Sequence, residues 1–114
     1  MIEKRKFPRI RFDAKCILIY EGGGHEGNVV NISLGGAMIS LIESAMIAHG
    51  ETCIFRIFTE GKEAPDEIEI RVTYTTFTCI GIEFLAFNED THPELYARIE
   101  LLSRNPEKYR VAYP

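Results

Sequence analysis

The sequence has no apolar run long enough to cross a membrane. Segments such as Cys16 to Tyr20 are about a quarter of the roughly 20 residues that a transmembrane helix needs. The N-terminus, Met1 to Lys6, also lacks the apolar core of a secretion signal. We therefore expect a cytoplasmic protein without membrane insertion. Its 114 residues, of which 46% are hydrophobic, suffice for one domain around one core and leave no room for a second domain.

Disulfide and zinc motifs are missing as well. The cysteines are few, distant from one another and surrounded by β-branched or aromatic residues: Cys16, Cys53 and Cys79. An odd number of such cysteines predicts reduced, buried thiols, and no Cys-x-x-Cys pair indicates zinc.

Patterns typical of catalysis are equally scarce. The three histidines occur singly, without a His-x-x-x-His spacing or a paired acid, and they are His25, His49 and His92. Ser33 does not stand in a Gly-x-Ser-x-Gly turn. Glu67 and Glu69 share one face of a predicted strand and are interpreted as solvent-exposed residues. We expect a protein that is not an enzyme and that has neither a metal nor a cofactor.

Charge is distributed unevenly along the chain. Residues 1 to 15 carry six basic and two acidic side chains, a charge of +4, whereas the other 99 residues carry seven basic and fifteen acidic side chains, a charge of −8. A basic arm on an acidic body can attract a compact anion, while the body repels DNA and RNA. A basic terminus that is merely solvated remains the alternative on charge alone.

Alternation of apolar and polar residues predicts a series of strands. The clearest is Glu67 to Thr75, in which Ile68, Ile70, Val72 and Tyr74 share one face. Others are predicted at Ala14 to Tyr20, Val29 to Leu34, Ala37 to Ile42, Thr52 to Phe58 and Cys79 to Leu85. The glycine-rich segment 21–25 is expected to be a hairpin loop. In the second of these strands, Asn31 and Ser33 are expected to share an exposed face.

One helix is predicted after the strands. Thr91 and Glu94 form a Thr-x-x-Glu capping box, and Asn105-Pro106 ends the helix. Its apolar stripe is expected to pack against the strands or against a partner. Several short strands without alternating helices predict an all-β, closed or partly closed barrel. The expected division is an N-terminal arm at 1–12, a barrel at 13–88 and a helix at 91–105.

Two short polar motifs could bind a ligand. In the arm, the motif Arg5-x-x-x-Arg9 contains Pro8, which favours an extended backbone. An extended backbone separates the two guanidinium groups, so that they can bind different parts of a multi-phosphate or multi-base anion. After the second strand, Asn31-x-Ser33-x-x-Gly36 offers an amide and a hydroxyl where glycines permit close approach. Taken alone, the first motif is better explained by surface charge or by ion pairs with the acidic body, and the second by a strand that ends in a tight turn.

The order of these motifs resembles the PilZ domain family. Asn31 follows Arg9 by 22 residues, and Gly81-Ile82-Glu83-Phe84 completes the pattern near the end of the last strand. The resemblance implies a six-stranded antiparallel Greek-key barrel with a C-terminal helix that acts as a bacterial receptor for the second messenger cyclic di-GMP. It implies ligand contacts for Arg5, Arg9, Asn31, Ser33 and Gly36. Gly35, inside the motif but not at one of its fixed positions, and Lys4, just before the first arginine, are secondary candidates for the same site. It leaves the choice of one or two ligand molecules open.

Other binding functions stay open beside this one. A PilZ-like module that only docks proteins is the alternative, with the helix face and the basic tail of Arg104, Lys108 and Arg110 as candidate surfaces. A barrel for single-stranded nucleic acid is disfavoured, because Phe55, Phe58, Tyr74 and Phe84 lie mostly at core positions of their strands. We expect a monomer or weak homodimer that passes its signal to an unknown protein effector.

Overall fold

The computed structural model describes residues 7–104. Within this range, six strands precede one helix: β1 (Ile10–Tyr20), β2 (Gly23–Ile32), β3 (Gly36–Leu41), β4 (Thr52–Phe58), β5 (Asp66–Thr75), β6 (Cys79–Phe84) and α1 (Pro93–Ser103). No helix in the described range is both long enough and apolar enough to span a bilayer.

The strands close into an antiparallel barrel in the order β1-β2-β3-β6-β5-β4. The pairing of β3 with β6 and of β1 with β4 gives the Greek-key connectivity, and closure leaves no free sheet edge. The predicted fold class is thus confirmed. One end of the barrel, called the arm end here, holds the start of β1, the turn 33–35 and the loop 59–65. The opposite end, called the far end, holds the turn 21–22, the loop 42–51 and the turn 76–78.

The core follows the alternation of the sequence. In β5, Ile68, Ile70 and Val72 are buried while the residues between them are exposed, as predicted. Tyr74 departs from the pattern at 51% exposure, because the pairing of β5 with β6 shifts register after Val72. Phe58, at the end of β4, is also exposed. Half of the aromatic residues expected in the core therefore lie outside it, and Phe55 and Phe84 lie inside.

The first hairpin is tighter than predicted. Tyr20 pairs with Gly23, which leaves Glu21 and Gly22 as a two-residue turn with φ of 50° and 80°. Positive φ at both central residues is characteristic of a type I′ turn, whose twist matches that of the two paired strands. The last three residues of the expected loop therefore belong to β2. At its other end, β1 begins at Ile10, inside the segment that the sequence assigned to the arm.

Asn31 and Ser33 are not on an exposed face, contrary to the prediction. They are 8% and 5% exposed, whereas Val30, which the predicted alternation puts on the opposite face, is 43% exposed. Both pairings of β2 shift register at this point. The β1–β2 pairing shifts between Arg11 and Ala14 of β1, and the β2–β3 pairing shifts between Val29 and Asn31 of β2. Such a bulge redirects side chains, and single-strand periodicity cannot reveal it.

The helix begins two residues later than predicted, and its capping box does not form. His92 is the N-cap and makes no side-chain capping bond. The Thr91 hydroxyl instead accepts the Asn88 N–H at 2.9 Å, and the Glu94 carboxylate lies 3.6 Å from Lys62 Nζ. A local Asn88 turn and a tertiary ion pair therefore replace the predicted reciprocal bonds. The predicted stop at Asn105 lies outside the described residues.

The apolar stripe of α1 covers the barrel. Leu95 and Ile99 are 2% and 0% exposed and belong to the core cluster. The Arg98 guanidinium lies 5.6 Å from the centre of the Phe12 ring, which ties the helix to β1. This helix face is consequently occupied by the barrel, and the tail residues Lys108 and Arg110 lie outside the described range.

All three cysteines are free thiols, and Cys16 and Cys53 are buried as predicted, while Cys79 is half-buried. Burial raises the pKa of Cys16 from 9.0 to about 12, because the thiolate would lose its hydration. A hydrogen bond to Glu51, at 2.5 Å, raises the pKa of Tyr20 from 10.0 to about 12.

The free energy of unfolding is expected to fall as pH rises above about 9. In the unfolded chain the Cys16 thiol ionises near its ordinary pKa, while the folded protein keeps it protonated up to about pH 12. The stabilisation is complete below the lower value and is lost towards the higher one, at no more than about 1.4 kcal/mol per pH unit for one group. Urea unfolding between about pH 7 and about pH 10 measures this slope.

Cys16→Ala should reduce that alkaline slope, because it removes one of the groups whose pKa folding raises. Val29→Ala removes a buried side chain that does not titrate, so it should lower stability at every pH and keep the wild-type slope. Equal slopes in the two variants would contradict the assignment.

Candidate functional site

The two predicted motifs meet at the arm end of the barrel. Arg9 immediately precedes β1, and the register that pairs Ile10 with Ile32 brings it beside Asn31. Arg9 Nη1 donates a hydrogen bond to Asn31 Oδ1 over 3.4 Å. This distance exceeds the usual range of about 2.7–3.2 Å, so the bond is weak. The arm and the end of β2 thus form one polar site through a contact that a stronger acceptor could replace.

Ser33 organises the turn that closes this site. Its Oγ accepts the N–H groups of Gly35 and Gly36, at 3.1 and 3.2 Å, and its own N–H donates to the Gly36 carbonyl at 2.8 Å. A serine that bonds its own turn is the local role that the sequence left open. The hydroxyl therefore fixes the backbone of residues 33–36 and so the position of Asn31 relative to the glycines.

Gly36 is required by the barrel itself. A Cβ at this position would lie 2.1 Å from the Ile82 carbonyl oxygen on β6, which is far inside contact distance. Gly36 and Glu83 are cross-strand partners, and the Phe84 N–H donates to the Gly35 carbonyl at 2.9 Å. The close approach of β3 and β6 explains this glycine without reference to a ligand.

Gly35 provides a flat surface that the arm covers. A Cβ at Gly35 would lie 3.1 Å from Cδ2 of Phe7, so the aromatic ring packs directly on the bare backbone. The sequence analysis did not select Phe7, although its position between the two arginines is a usable signal. The ring holds the arm against the turn and occupies space beside Ser33.

The charges around the site favour an anion. Arg9 and the exposed Arg11 contribute positive charge at the start of β1. Glu83, the cross-strand partner of Gly36, has its carboxylate 3.3 Å from Arg71 Nη1, and this ion pair reduces its repulsion of an anion. The site is therefore locally basic on a protein of net charge −4.

The structure thus brings together five of the seven predicted site residues: Arg9, Asn31, Ser33, Gly35 and Gly36. Arg5 and Lys4 lie outside the described residues. Within residues 7–104 no three histidine, cysteine or acidic side chains are grouped to hold a metal ion.

A family model, the PilZ domain, matches residues 3–101, which is most of the chain and includes both motifs. The chain belongs to the PilZ domain family. A search of curated protein sequences finds no significant match to this PilZ domain.

Solved structures share the fold of this PilZ domain at low sequence identity. The PilZ domain of YcgR from Escherichia coli with c-di-GMP superposes with a TM-score of 0.73 at 16% identity, over 93% of this chain and 97% of that one. The inhibitor of motility MotI/DgrA from Bacillus subtilis gives a TM-score of 0.71 at 18% identity, over 91% of this chain and 53% of that one.

The MrkH–c-di-GMP complex of K. pneumonia gives a TM-score of 0.65 at 18% identity, over 95% of this chain and 55% of that one. This PilZ domain therefore spans about half the length of MotI and MrkH. At these identities the likeness concerns the fold.

Proposed function

We propose that this PilZ domain is a receptor for cyclic di-GMP that changes the position of its N-terminal arm on binding and passes the signal to a protein partner. The observation that carries the proposal is the contact between Arg9 and Asn31, which joins the two family motifs into one site. Two of the structures with the same fold, those of YcgR and MrkH, are complexes with c-di-GMP, which supports the choice of ligand.

The chemistry of the site suits this nucleotide. An arginine can donate two parallel hydrogen bonds to a phosphate or to the N7/O6 edge of guanine, and its flat face can stack on the base. A phosphate is a better acceptor for Arg9 than the distant Asn31 amide oxygen, because both partners are then charged. Asn31, released from this bond, can pair with a guanine edge. By the family pattern, Arg5 would hold the ligand from the other side.

The arm supplies the conformational change. Phe7 rests on Gly35, inside the motif whose residues Asn31, Ser33 and Gly36 would contact a guanine by the family pattern. Ligand entry would displace the ring and rearrange residues on both sides of Pro8, and the reordered arm would present a new surface to the partner. Ordering a terminal segment costs conformational entropy and so lowers the affinity below what the contacts alone would give.

Isothermal titration tests the receptor function. Cyclic di-GMP is expected to bind the wild-type protein at micromolar concentration or below, while GTP and cyclic di-AMP are not. Arg9→Ala should weaken binding by about tenfold to about a hundredfold, as expected for the loss of a hydrogen bond to a charged group worth about 1.5–3 kcal/mol. Asn31→Ala should weaken it by a smaller factor, because the amide is neutral.

Arg104→Ala is the matched control, since it removes the same charge from the exposed end of α1. It should leave the affinity unchanged. Thermal unfolding first establishes that each protein is folded. If cyclic di-GMP then produces no heat of binding with the wild type or with any variant, nucleotide binding is refuted.

A PilZ-like interaction module that binds no nucleotide is the second candidate. One observation favours it: Ser33 and Gly36 both have structural roles, in the turn and in the β3–β6 contact, so the fold alone would retain two of the three residues of the second motif. The Arg9–Asn31 bond, by contrast, belongs neither to the turn 33–35 nor to the β3–β6 contact. The titration therefore separates the two functions at these residues.

A further inference from the structure

The far end of the barrel exposes large apolar side chains. Four of them project there with more than half of their surface accessible: Ile42 at 67%, Met46 at 99%, Tyr74 at 51% and Phe77 at 83%. We call these four residues the far-end surface. Single exposed apolar residues are common, but a cluster on one end of a small domain is typical of a protein-binding site.

The backbone beneath this surface is fixed. Within the loop 42–51, Ile47 is buried, its carbonyl accepts the Thr75 hydroxyl at 3.4 Å, and the Ile42 N–H donates to the Glu26 carbonyl at 2.9 Å. The Gly50 N–H donates to the Val72 carbonyl at 2.7 Å. Met46 is consequently displayed by a loop anchored on both sides, which lowers the ordering cost of binding.

A groove runs between the two apolar loops. It has a volume of about 430 Å³ and is lined by Ala45–Ala48 and Thr75–Phe77. This volume is in the range of small binding sites and accommodates the side chain of an inserted aliphatic or aromatic residue. The groove therefore offers the kind of pocket into which an interface anchor residue packs.

The charge at the far end has one sign. The sequence contains no lysine or arginine between Lys15 and Arg56, and none between Arg71 and Arg98. The three connections at the far end, residues 21–22, 42–51 and 76–78, all lie within these two stretches. Glu26 and Glu43 are exposed and line a second recess together with Ile42. Among the described residues, this recess is lined by no lysine or arginine, and His25 is the one lining side chain that can carry a positive charge. Glu21 is exposed in the neighbouring turn. An apolar centre with an acidic rim is complementary to a cationic partner.

We propose that the far-end surface docks a protein partner through a cationic segment that carries an aliphatic or aromatic anchor residue. The anchor packs into the groove between Met46 and Phe77, and lysine or arginine side chains pair with Glu26 and Glu43. A second copy fits poorly through the same surface, because its acidic rim would face an identical rim. The inference deepens the partner step of the proposed function and rests on it for its place in signalling. The surface itself lies at the opposite end from Arg9, so peptide and nucleotide titrations can fail independently.

Fluorescence anisotropy with defined peptides tests the proposal. The probe is a labelled peptide of three Lys-Leu-Lys-Phe repeats, beside one in which glutamate replaces each lysine and one in which serine replaces each apolar residue. The first peptide should bind at least about tenfold more tightly than either of the others, since it alone combines both features. Its affinity should fall as salt is added.

Variants locate the binding surface. Met46→Ser with Phe77→Ser should weaken binding by about tenfold or more, whereas Leu101→Ser, which changes an apolar residue on α1 that is 63% exposed, should not. Glu26→Gln with Glu43→Gln should weaken it about threefold to tenfold and flatten the salt dependence. Glu60→Gln with Glu63→Gln removes the same charge from the arm end and should change neither.

Four results would overturn the proposal. They are binding of none of the peptides, equal binding of the glutamate peptide, equal loss of affinity in the Leu101→Ser protein, and sedimentation as a dimer that Met46→Ser with Phe77→Ser dissociates. The last result would assign the far-end surface to a second copy of the chain.

Discussion

Phe55→Ala is expected to lower the free energy of unfolding by about 3–5 kcal/mol, as large-to-small changes at fully buried aromatic residues do. Phe55 is 0% exposed at the centre of β4, in register with Leu18 on β1 and Ile68 on β5. Its ring stacks with that of Phe84 at a centroid distance of 6.1 Å. The substitution leaves a cavity that the strands cannot move inwards to fill, because each strand is hydrogen-bonded to a neighbour on both sides. Equilibrium unfolding in urea measures the loss.

Phe58→Ala is the control for this prediction. The two residues belong to the same strand and lose the same atoms, but Phe58 is 40% exposed at the end of β4. Its substitution should cost clearly less, about 1 kcal/mol. Similar losses for both variants would mean that the core does not centre on Phe55.

Gly36→Ala is expected to destabilise the barrel by about 2 kcal/mol or more, within the range of overpacked sites. The added methyl would lie 2.1 Å from the Ile82 carbonyl, which is a backbone atom and cannot turn aside as a side chain could. β3 and β6 would have to separate at the point where Gly36 pairs with Glu83. The change is measured by the urea midpoint and by the loss of amide hydrogen-exchange protection in β6.

Gly23→Ala is the matched glycine control. Its added methyl would meet the Tyr20 carbonyl at 3.6 Å, an ordinary contact, so the stability should change little. Equal destabilisation by the two changes would contradict the close approach of β3 and β6. Because Gly36→Ala distorts the barrel, a loss of nucleotide binding in this variant would not identify a ligand contact. Ligand contacts are therefore tested at Arg9 and Asn31.

The positions of the two proposed surfaces suit an adaptor. The nucleotide site lies at the arm end, and the far-end surface lies across the length of the barrel, so one does not obstruct the other. The face of α1, expected from the sequence as a docking surface, packs on the barrel through Leu95 and Ile99. A partner therefore finds its apolar surface on loops at the far end rather than on the helix stripe.

The barrel could be predicted from the sequence because its signals are local. Alternation in β5 and β6, glycines at the first turn and a single helical stripe depend on residues close together along the chain. The spacing of Arg9 from Asn31 also indicated the site before any contact was known. The helix start was misplaced because a local Asn88 turn and a tertiary ion pair with Lys62 engage the groups that a capping box would use.

By itself, the sequence determined the all-β class and the number of strands, and its resemblance to the PilZ family linked the arm motif to the β2 motif. Only the tertiary structure decided which polar residues are covered, because the bulge at Val30 interrupts the alternation of faces that a regular strand would give. It also decided that Gly36 serves the contact with Ile82 and that Phe7 lies on Gly35. Both contacts join residues far apart in the chain, and no periodic pattern encodes the distance between two strand backbones.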